Sequence, residues 1–341
     1  MPSGETLADR IRSRAAEAGY SACGFTGAEP FVEFAAALAD RSRRFPAAAP
    51  LYEHLRHRVD PRATKPWVRT IVVCVRWYGR YELPASLLGH IGRNYLADQR
   101  WYGCPEYEMP RRFGAALRAL GLRVARGGVP DRWAAARAGV ARVGRNCFAY
   151  SEHGSWINLA TWRVDAEIPP DRPTLDCPCP AGCQACLEAC PTGALVEPFV
   201  MRQDRCIAHL TYGPEWPVPP ELWTRMGAWV YGCDVCQEVC PLNRGTWRNA
   251  QRADWLDPVA AILTPEALAD MDEATYRSVV HPRFWYIPED GLARWRANAQ
   301  RAVAAARGNA GAPQLCSNDA WTARACLPAC RQVLAGRPSN D

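Results

Sequence analysis

Two short stretches carry cysteines at a spacing that suits iron. One reads Cys183-x2-Cys186-x3-Cys190-Pro and the other Cys233-x2-Cys236-x3-Cys240-Pro. Thiolates leaving one tight turn can each reach a different iron of a cubane, and the x3 step starts a helix that carries the last Cys toward a neighbouring cube. The Pro after that Cys sets the backbone direction and leaves no orphan N–H. A bacterial ferredoxin run has one more Cys upstream, and its last Cys serves the other cluster. Here the upstream positions hold Pro180 and Val230, which cannot bind iron. Cys179, or alternatively Cys177, stands in for the first, and Cys206 for the second. The expected division gives one 4Fe–4S cluster Cys179 (or Cys177), Cys183, Cys186 and Cys240, and the other Cys206, Cys233, Cys236 and Cys190. Structural zinc also uses CxxC pairs, but it requires neither the repeated x2/x3 step nor the Cys-Pro ending. Cys23, Cys74, Cys104 and Cys147 stand singly in apolar or turn segments, as buried cysteines commonly do. Cys316, Cys326 and Cys330 in the tail have no clear fourth ligand beside them.

The totals support metal over disulfides. The chain has 341 residues, 48% hydrophobic and 22% charged, which is enough for one large or two modest packed domains. Its N-terminus carries acidic residues early and no apolar run, so no signal peptide is expected there. No stretch approaches the roughly 20 apolar residues of a membrane span. A soluble, cytoplasmic protein keeps its thiols reduced, so 16 cysteines point to metal. The net charge of +6 is compatible with a nucleic-acid partner without indicating one, and Lys65 is the only lysine among the basic residues.

The elements that position these thiols form an α+β pattern. Residues 5–19 read as an amphipathic helix with Leu7, Ile11 and Ala15 on one face and Gly19 as its stop. A short strand and turn follow in YSACGFTGAEP. Residues 69–79 make the strongest strand, β-branched and apolar enough to be central. PRRFGAALRALG reads as a helix with a strand after it, PDRWAAARAG as another helix, and GSWINLATWRVDAEI as a strand bearing Trp156 and Trp162. A Pro-rich linker begins after Ile168 and the cysteine-rich segment follows. TPEALADMDEATYRSVV and EDGLARWRANAQRAVAAARGN read as helices. The expected organisation is an N-terminal mixed α/β domain over 1–168, a ferredoxin-like double-cluster domain over 169–250, a helical segment over 251–310 and a polar tail over 311–341.

Two clusters alone would make an electron carrier, and a ferredoxin needs far fewer residues. The remainder resembles the epoxyqueuosine reductase family. The resemblance is carried by AGYSACGFTGAEP, by HRVDPRATKPWVRTIVVCVRWYG, by GVARVGRNCFAYSEHGSWINLATWRVD and above all by RCIAHLTYGPEWPVPPELWTRMGAWVYGCDVCQEVCPLNR, with its Tyr-Gly-Cys-Asp. It covers roughly residues 5–310. It implies a base-off cobalamin between the N-terminal and ferredoxin-like domains, fed by the two clusters from an external one-electron donor of ferredoxin or flavodoxin type. It further implies reduction of an epoxide on a tRNA wobble base to the alkene, with tRNA as partner and no membrane. By motif position it makes Arg58, Gly144, Asn146, Ser155 and Thr211 candidates to line the corrin or its tail.

The match breaks in three places. The family's proton-donating Asp falls at Ala125, beside Arg126. Asp131 is the nearest carboxyl and the candidate replacement, with a helix N-cap as its structural alternative. The first cysteine block has x3 where the pattern has x2, and the tail is too short for the helical repeats that many relatives carry. These departures describe a divergent member. A corrinoid-handling or reactivating protein, or an electron-transfer protein without tRNA activity, is the alternative.

Overall fold

The computed structural model describes residues 5–214 and 216–308. The tail cysteines Cys316, Cys326 and Cys330, with the rest of 311–341, lie outside the described residues. The chain divides into two compact units, each assembled from separated stretches. The first comprises the residues up to Arg80, Asp98–Pro178 and Leu242–Arg248. The second comprises Tyr81–Ala97, Cys179–Pro241 and the residues from Asn249 on.

The first unit is a sheet with helices on both faces, in keeping with the α+β pattern. Helix α1 (Leu7–Ala18) starts at a Thr6–Asp9 capping box and stops at Gly19, whose φ of 106° only glycine adopts easily. Strand β1 (Ala22–Gly27) and helix α2 (Val32–Arg44) follow, then β2 (Thr70–Trp77). Helix α3 (Met109–Ala119), strand β3 (Val124–Arg126), helix α4 (Asp131–Arg137) and strand β4 (Ile157–Val164) complete the set. The strands run in the order β1–β2–β4–β3, every neighbouring pair antiparallel.

This arrangement explains why β2 reads as an unbroken apolar run. Val72 and Cys74 face a core of Ile11, Ala15, Phe113, Leu117 and Trp162, supplied largely by α1 and α3. Ile71, Val73 and Val75 face a second core containing Phe34, Leu38, Ala134 and Ala135 from α2 and α4. Both faces are covered, so the polar-out alternation of a one-sided antiparallel sheet is absent. Trp162 lies in β4 and is 1% exposed, edge-on to Phe113 with ring centroids 4.6 Å apart. Trp156 precedes the strand instead of lying on it, and packs edge-on against Trp247 at 5.3 Å.

Two expectations change. Asp131 is not an N-cap: Pro130 holds that position, and Asp131 is the first residue of α4. The Pro-rich stretch after Ile168 is not a free linker. Asp171 accepts from the Phe25 N–H at 2.9 Å and from Arg12 at 2.7 Å, and the Thr174 N–H donates to the Ala136 carbonyl at 2.9 Å. Helix α2 went unread in the sequence, because its apolar residues are mostly alanines with a weak periodic signal.

The second unit has short regular elements. They are α5 (Ala185–Glu188), the hairpin strands β5 (Leu195–Glu197) and β6 (Val200–Met201), α6 (Ile207–Tyr212) and α7 (Val235–Glu238). Toward the C-terminus come α8 (Pro265–Ala269) and the long α9 (Leu292–Gly308). The helix expected across TPEALADMDEATYRSVV is broken: after α8, Asp272 caps a new turn by accepting from the Thr275 N–H at 2.7 Å, and Tyr276–Val280 is a π-helical turn. A core of Ile207, Leu210, Val218, Leu222, Met226, Trp229 and Val235 backs the cysteine region. Among the described residues no helix is long and apolar enough to cross a membrane.

Truncating Trp162 to Ala should destabilise the protein by about 3–5 kcal/mol, the usual result of emptying a large aromatic site. Chemical denaturation followed by near-ultraviolet circular dichroism would measure it.

Candidate functional site

All eight thiols assigned to clusters, counting Cys179, belong to the second unit. Cys183 and Cys186 sit on the turn into α5, and Cys190 follows that helix. Cys206 occupies the N-cap position of α6. Cys233 and Cys236 flank the start of α7, entered through Gly232 at φ 79°, and Cys240 follows α7. The x3 step therefore does span a short helix in both blocks.

The electrostatics of these thiols report which ones are neighbours. Burial pushes the Cys186 thiol up to about 12, and Cys240 and Cys183 add to the rise. Burial raises Cys233 far above the ordinary thiol range, with Cys236 the next cause and Cys206 a further one. Cys236 rises through burial, then Cys206, with Cys186 and Cys190 contributing. Cys183 and Cys240 are thus neighbours of Cys186, Cys206 is a neighbour of Cys233 and Cys236, and Cys186 and Cys190 both approach Cys236. Each block's last cysteine thus has a neighbour in the other block, Cys240 beside Cys186 and Cys190 beside Cys236. Thiols held this way stay protonated at neutral pH unless a cation draws off the proton, and a coordinated metal does so outright. Among the described residues no three His, Cys, Asp or Glu side chains form a group that could hold one metal ion. A cubane makes no such demand, because each thiolate reaches its own iron.

Cys177 and Cys179 differ in placement. Cys177 is exposed and belongs to the first unit, while Cys179 is half-buried and belongs to the unit that holds the other seven. Beside Cys233 lies a buried charge group that the sequence did not reveal. The Arg93 N–H donates to Asp234 at 2.8 Å, and its guanidinium reaches Asp234 at 3.4 Å and also Glu238. Burial pushes Asp234 up to about 6 against the pull of Arg93.

The residues proposed to line a corrinoid are mostly engaged within the protein. Asn146 donates to the Tyr150 hydroxyl at 2.8 Å and accepts from the Phe148 N–H at 3.2 Å. Gly144 packs under Tyr150, where a Cβ would come within 2.4 Å of the ring. Ser155 and Asn243 exchange two hydrogen bonds, both 2.8 Å. Thr211 accepts from the Gly232 N–H at 2.9 Å and so belongs to the support of the Cys233 loop. Arg58 differs: its Nε is buried with no hydrogen-bond partner.

Arg58 also faces Asp131. That carboxylate accepts from the Thr161 hydroxyl at 2.9 Å, and no local pattern could have predicted a partner 30 residues away. Burial raises the Asp131 pKa above the ordinary carboxylate range, while Thr161, Arg58, Arg132 and Arg126 pull it back. Next to it, Gly127 and Gly128 take φ of 64° and 78°, and a Cβ on Gly128 would come within 2.5 Å of the Arg163 guanidinium.

Two outcomes follow. Cys206→Ser should cost about half the iron of anaerobically prepared protein, roughly four of eight atoms, whereas Cys177→Ser should leave the iron and sulfide content unchanged. Because the folded state holds a proton on Asp131 to higher pH than the unfolded chain, this group lowers stability as pH rises through the folded pKa. Asp131→Asn should therefore stabilise the protein at neutral pH, with the gain shrinking as pH falls through the folded pKa and gone below the unfolded value of about 4. Denaturation midpoints across pH would show this.

A family model described as a 4Fe-4S double cluster binding domain matches residues 179–243. An epoxyqueuosine reductase of Bacillus subtilis is 43% identical over 120 residues, which are 35% of this chain and 30% of that protein. One from Staphylococcus aureus is 30% identical over 262 residues, 73% of this chain and 66% of that protein. The chain thus spans less than two thirds of the length of either relative. A crystal structure of epoxyqueuosine reductase with a tRNA-Tyr epoxyqueuosine-modified stem loop superimposes with a TM-score of 0.69 and 26% identity, over 88% of this chain and 81% of that one. The double-cluster segment, the shared architecture and the sequence similarity that runs beyond the cysteines agree: this chain belongs to the epoxyqueuosine reductase family.

Proposed function

We propose that the chain is an iron–sulfur and cobalamin-dependent reductase that acts on epoxyqueuosine in tRNA, or on a closely related substrate, in the cytoplasm. The observation that carries this reading is the approach of thiols from the two cysteine blocks, Cys240 to Cys186 and Cys190 to Cys236, in a chain of this family. Residues 169–250 would hold the two 4Fe–4S clusters and residues 1–168 the corrinoid, with the helical segment over 251–310 behind the clusters. Electrons would come singly from a ferredoxin- or flavodoxin-type donor.

When bound, the clusters supply single electrons and the corrinoid supplies a strongly reducing cobalt centre. This chain's own residues supply binding and a proton. Arg58 has the orphaned buried nitrogen that suits a polar group of the corrin or its tail. Gly144, Asn146 and Ser155 would act by fixing the loops they brace, and Thr211 by holding the Cys233 loop.

Asp131 is the acid in this scheme. Epoxide reduction to an alkene with loss of the oxygen as water consumes two electrons, drawn singly from the external donor, and two protons; Asp131 would deliver one proton to the departing oxygen and solvent the other. Ala125, where the resemblance puts the family's Asp, pairs with Arg163 of β4. Thr161, which holds Asp131, is two residues along the same strand and therefore on the same face of the sheet. The replacement carboxyl thus reaches the face of the missing one. A pKa raised by burial suits a group that must donate near neutral pH.

The test is anaerobic reconstitution followed by cobalamin addition, absorbance spectra before and after reduction, and an assay on tRNA carrying epoxyqueuosine. Retained corrinoid and conversion of the modified base are expected. Bound and reducible corrinoid without conversion would favour a corrinoid-handling protein, which the alanine at position 125 also favours. Absence of retained corrinoid would leave an electron carrier. Asp131→Asn should lower turnover by about 10²-fold or more with corrinoid and iron retained, in line with the loss of a general acid.

A further inference from the structure

Helix α9 directs three buried polar side chains at one target. Arg294, Asn298 and Arg301 recur at a spacing that puts them on one helix face, and they are 7%, 0% and 8% exposed. Burying such groups is costly unless each finds partners. Their partners are main-chain carbonyls from two segments. Arg294 donates to Leu210 and Thr211, both at 2.9 Å, and to Gly213. Asn298 donates to Thr211 at 3.0 Å and to Val230 at 3.1 Å. Arg301 donates to Gly227 and Trp229, with its guanidinium over the Trp223 ring.

The two segments have one thing in common. Carbonyls 210–213 close helix α6, whose N-cap is Cys206. Carbonyls 227–230 belong to the stretch that runs directly into Cys233. Thr211 knots them together: its carbonyl takes Arg294 and Asn298, and its hydroxyl accepts the Gly232 N–H at 2.9 Å. The last carbonyls of a helix have no partner inside it, so without α9 the end of α6 and the approach to Cys233 would each need water. The carbonyls that receive these bonds lie at 210–213 and 227–230, on the Cys206 and Cys233 side of the cysteine region.

We propose that α9 is the positioning element of the cluster assigned to Cys190, Cys206, Cys233 and Cys236, with Asn298 and Thr211 as its central residues. This rests on the double-cluster reading. The helix fixes the separation between two ligands that come from different stretches of chain, which the spacing within a CxxC turn cannot do.

Asn298→Leu keeps the side-chain size and removes both carbonyl contacts. Thr211→Val removes only the hydroxyl, and Thr211→Ser restores it. Each protein is prepared anaerobically at full length, its iron and sulfide are counted, and the reduced form is examined by electron paramagnetic resonance. About eight irons in the unsubstituted protein would uphold the double-cluster reading itself. The clamp predicts that Asn298→Leu and Thr211→Val fall to about half that content. Their resonance should change from that of two interacting clusters to that of one isolated cluster, and Thr211→Ser should retain the original spectrum. Full iron with an unchanged spectrum in both variants would overturn the proposal. So would equal loss of both clusters, because the contacts address only one. Should Asn298→Leu fail to fold, the Thr211→Val and Thr211→Ser pair decides.

Discussion

Thiols from three separate stretches of backbone lie close enough together to oppose one another's ionisation. Burial and mutual proximity both push them toward the protonated state, as Cys186, Cys233 and Cys236 show. Bound iron reverses that preference, so the free energy of this region is tied to its metal. The second unit is built accordingly. Around the cysteines its helices run to only four or six residues, its hairpin strands to two or three, and its apolar core is modest. Regular structure here serves to aim sulfur atoms. Side chains acting on main-chain carbonyls, from Arg294, Asn298 and Arg301, take over a role that longer helices would otherwise fill.

The first unit follows the opposite logic. Its sheet is covered on both faces by helices, and its core is large and aromatic. Onto that rigid frame it mounts Asp131, a carboxyl whose protonation the surroundings favour, with Arg58 and Thr161 beside it. A scaffold with so large a core can tolerate one energetically unfavourable buried group.

Much of this was legible in the sequence, because the signals were local. The cysteine spacing announced that the two blocks would approach one another, since a two-residue step keeps thiols on one turn and a three-residue step carries the last one away on a short helix. The β-branched run at 70–77 announced a buried strand, and Gly19 announced the end of α1. What stayed hidden depends on contacts between residues far apart in the chain. Thr161 and Asp131 are partners only because β4 lies beside α4. Arg93 meets Asp234 across 141 positions. Asp171 turns an apparent linker into a packed strap only because Phe25 is within reach. Helix α2 was missed for a different reason: a face made largely of alanine buries too little apolar surface to stand out as a period. The corrinoid candidates show the converse limit. A motif places Asn146 and Ser155 near one another in sequence, but only the structure shows their polar atoms already committed to Tyr150 and Asn243.

The division of the chain into interleaved stretches has a consequence for how the protein is made. The first unit includes Leu242–Arg248, where Asn243 braces Ser155 and Trp247 packs on Tyr78 and Trp156. A nascent chain leaving the ribosome must therefore release the whole cysteine region before its N-terminal half can be completed. For the same reason no single cut separates the two halves. A gene fusion or exon-like exchange that moved the cysteine region to another scaffold would take part of its neighbour's foundation with it, so the pairing of these two halves would be inherited as one piece.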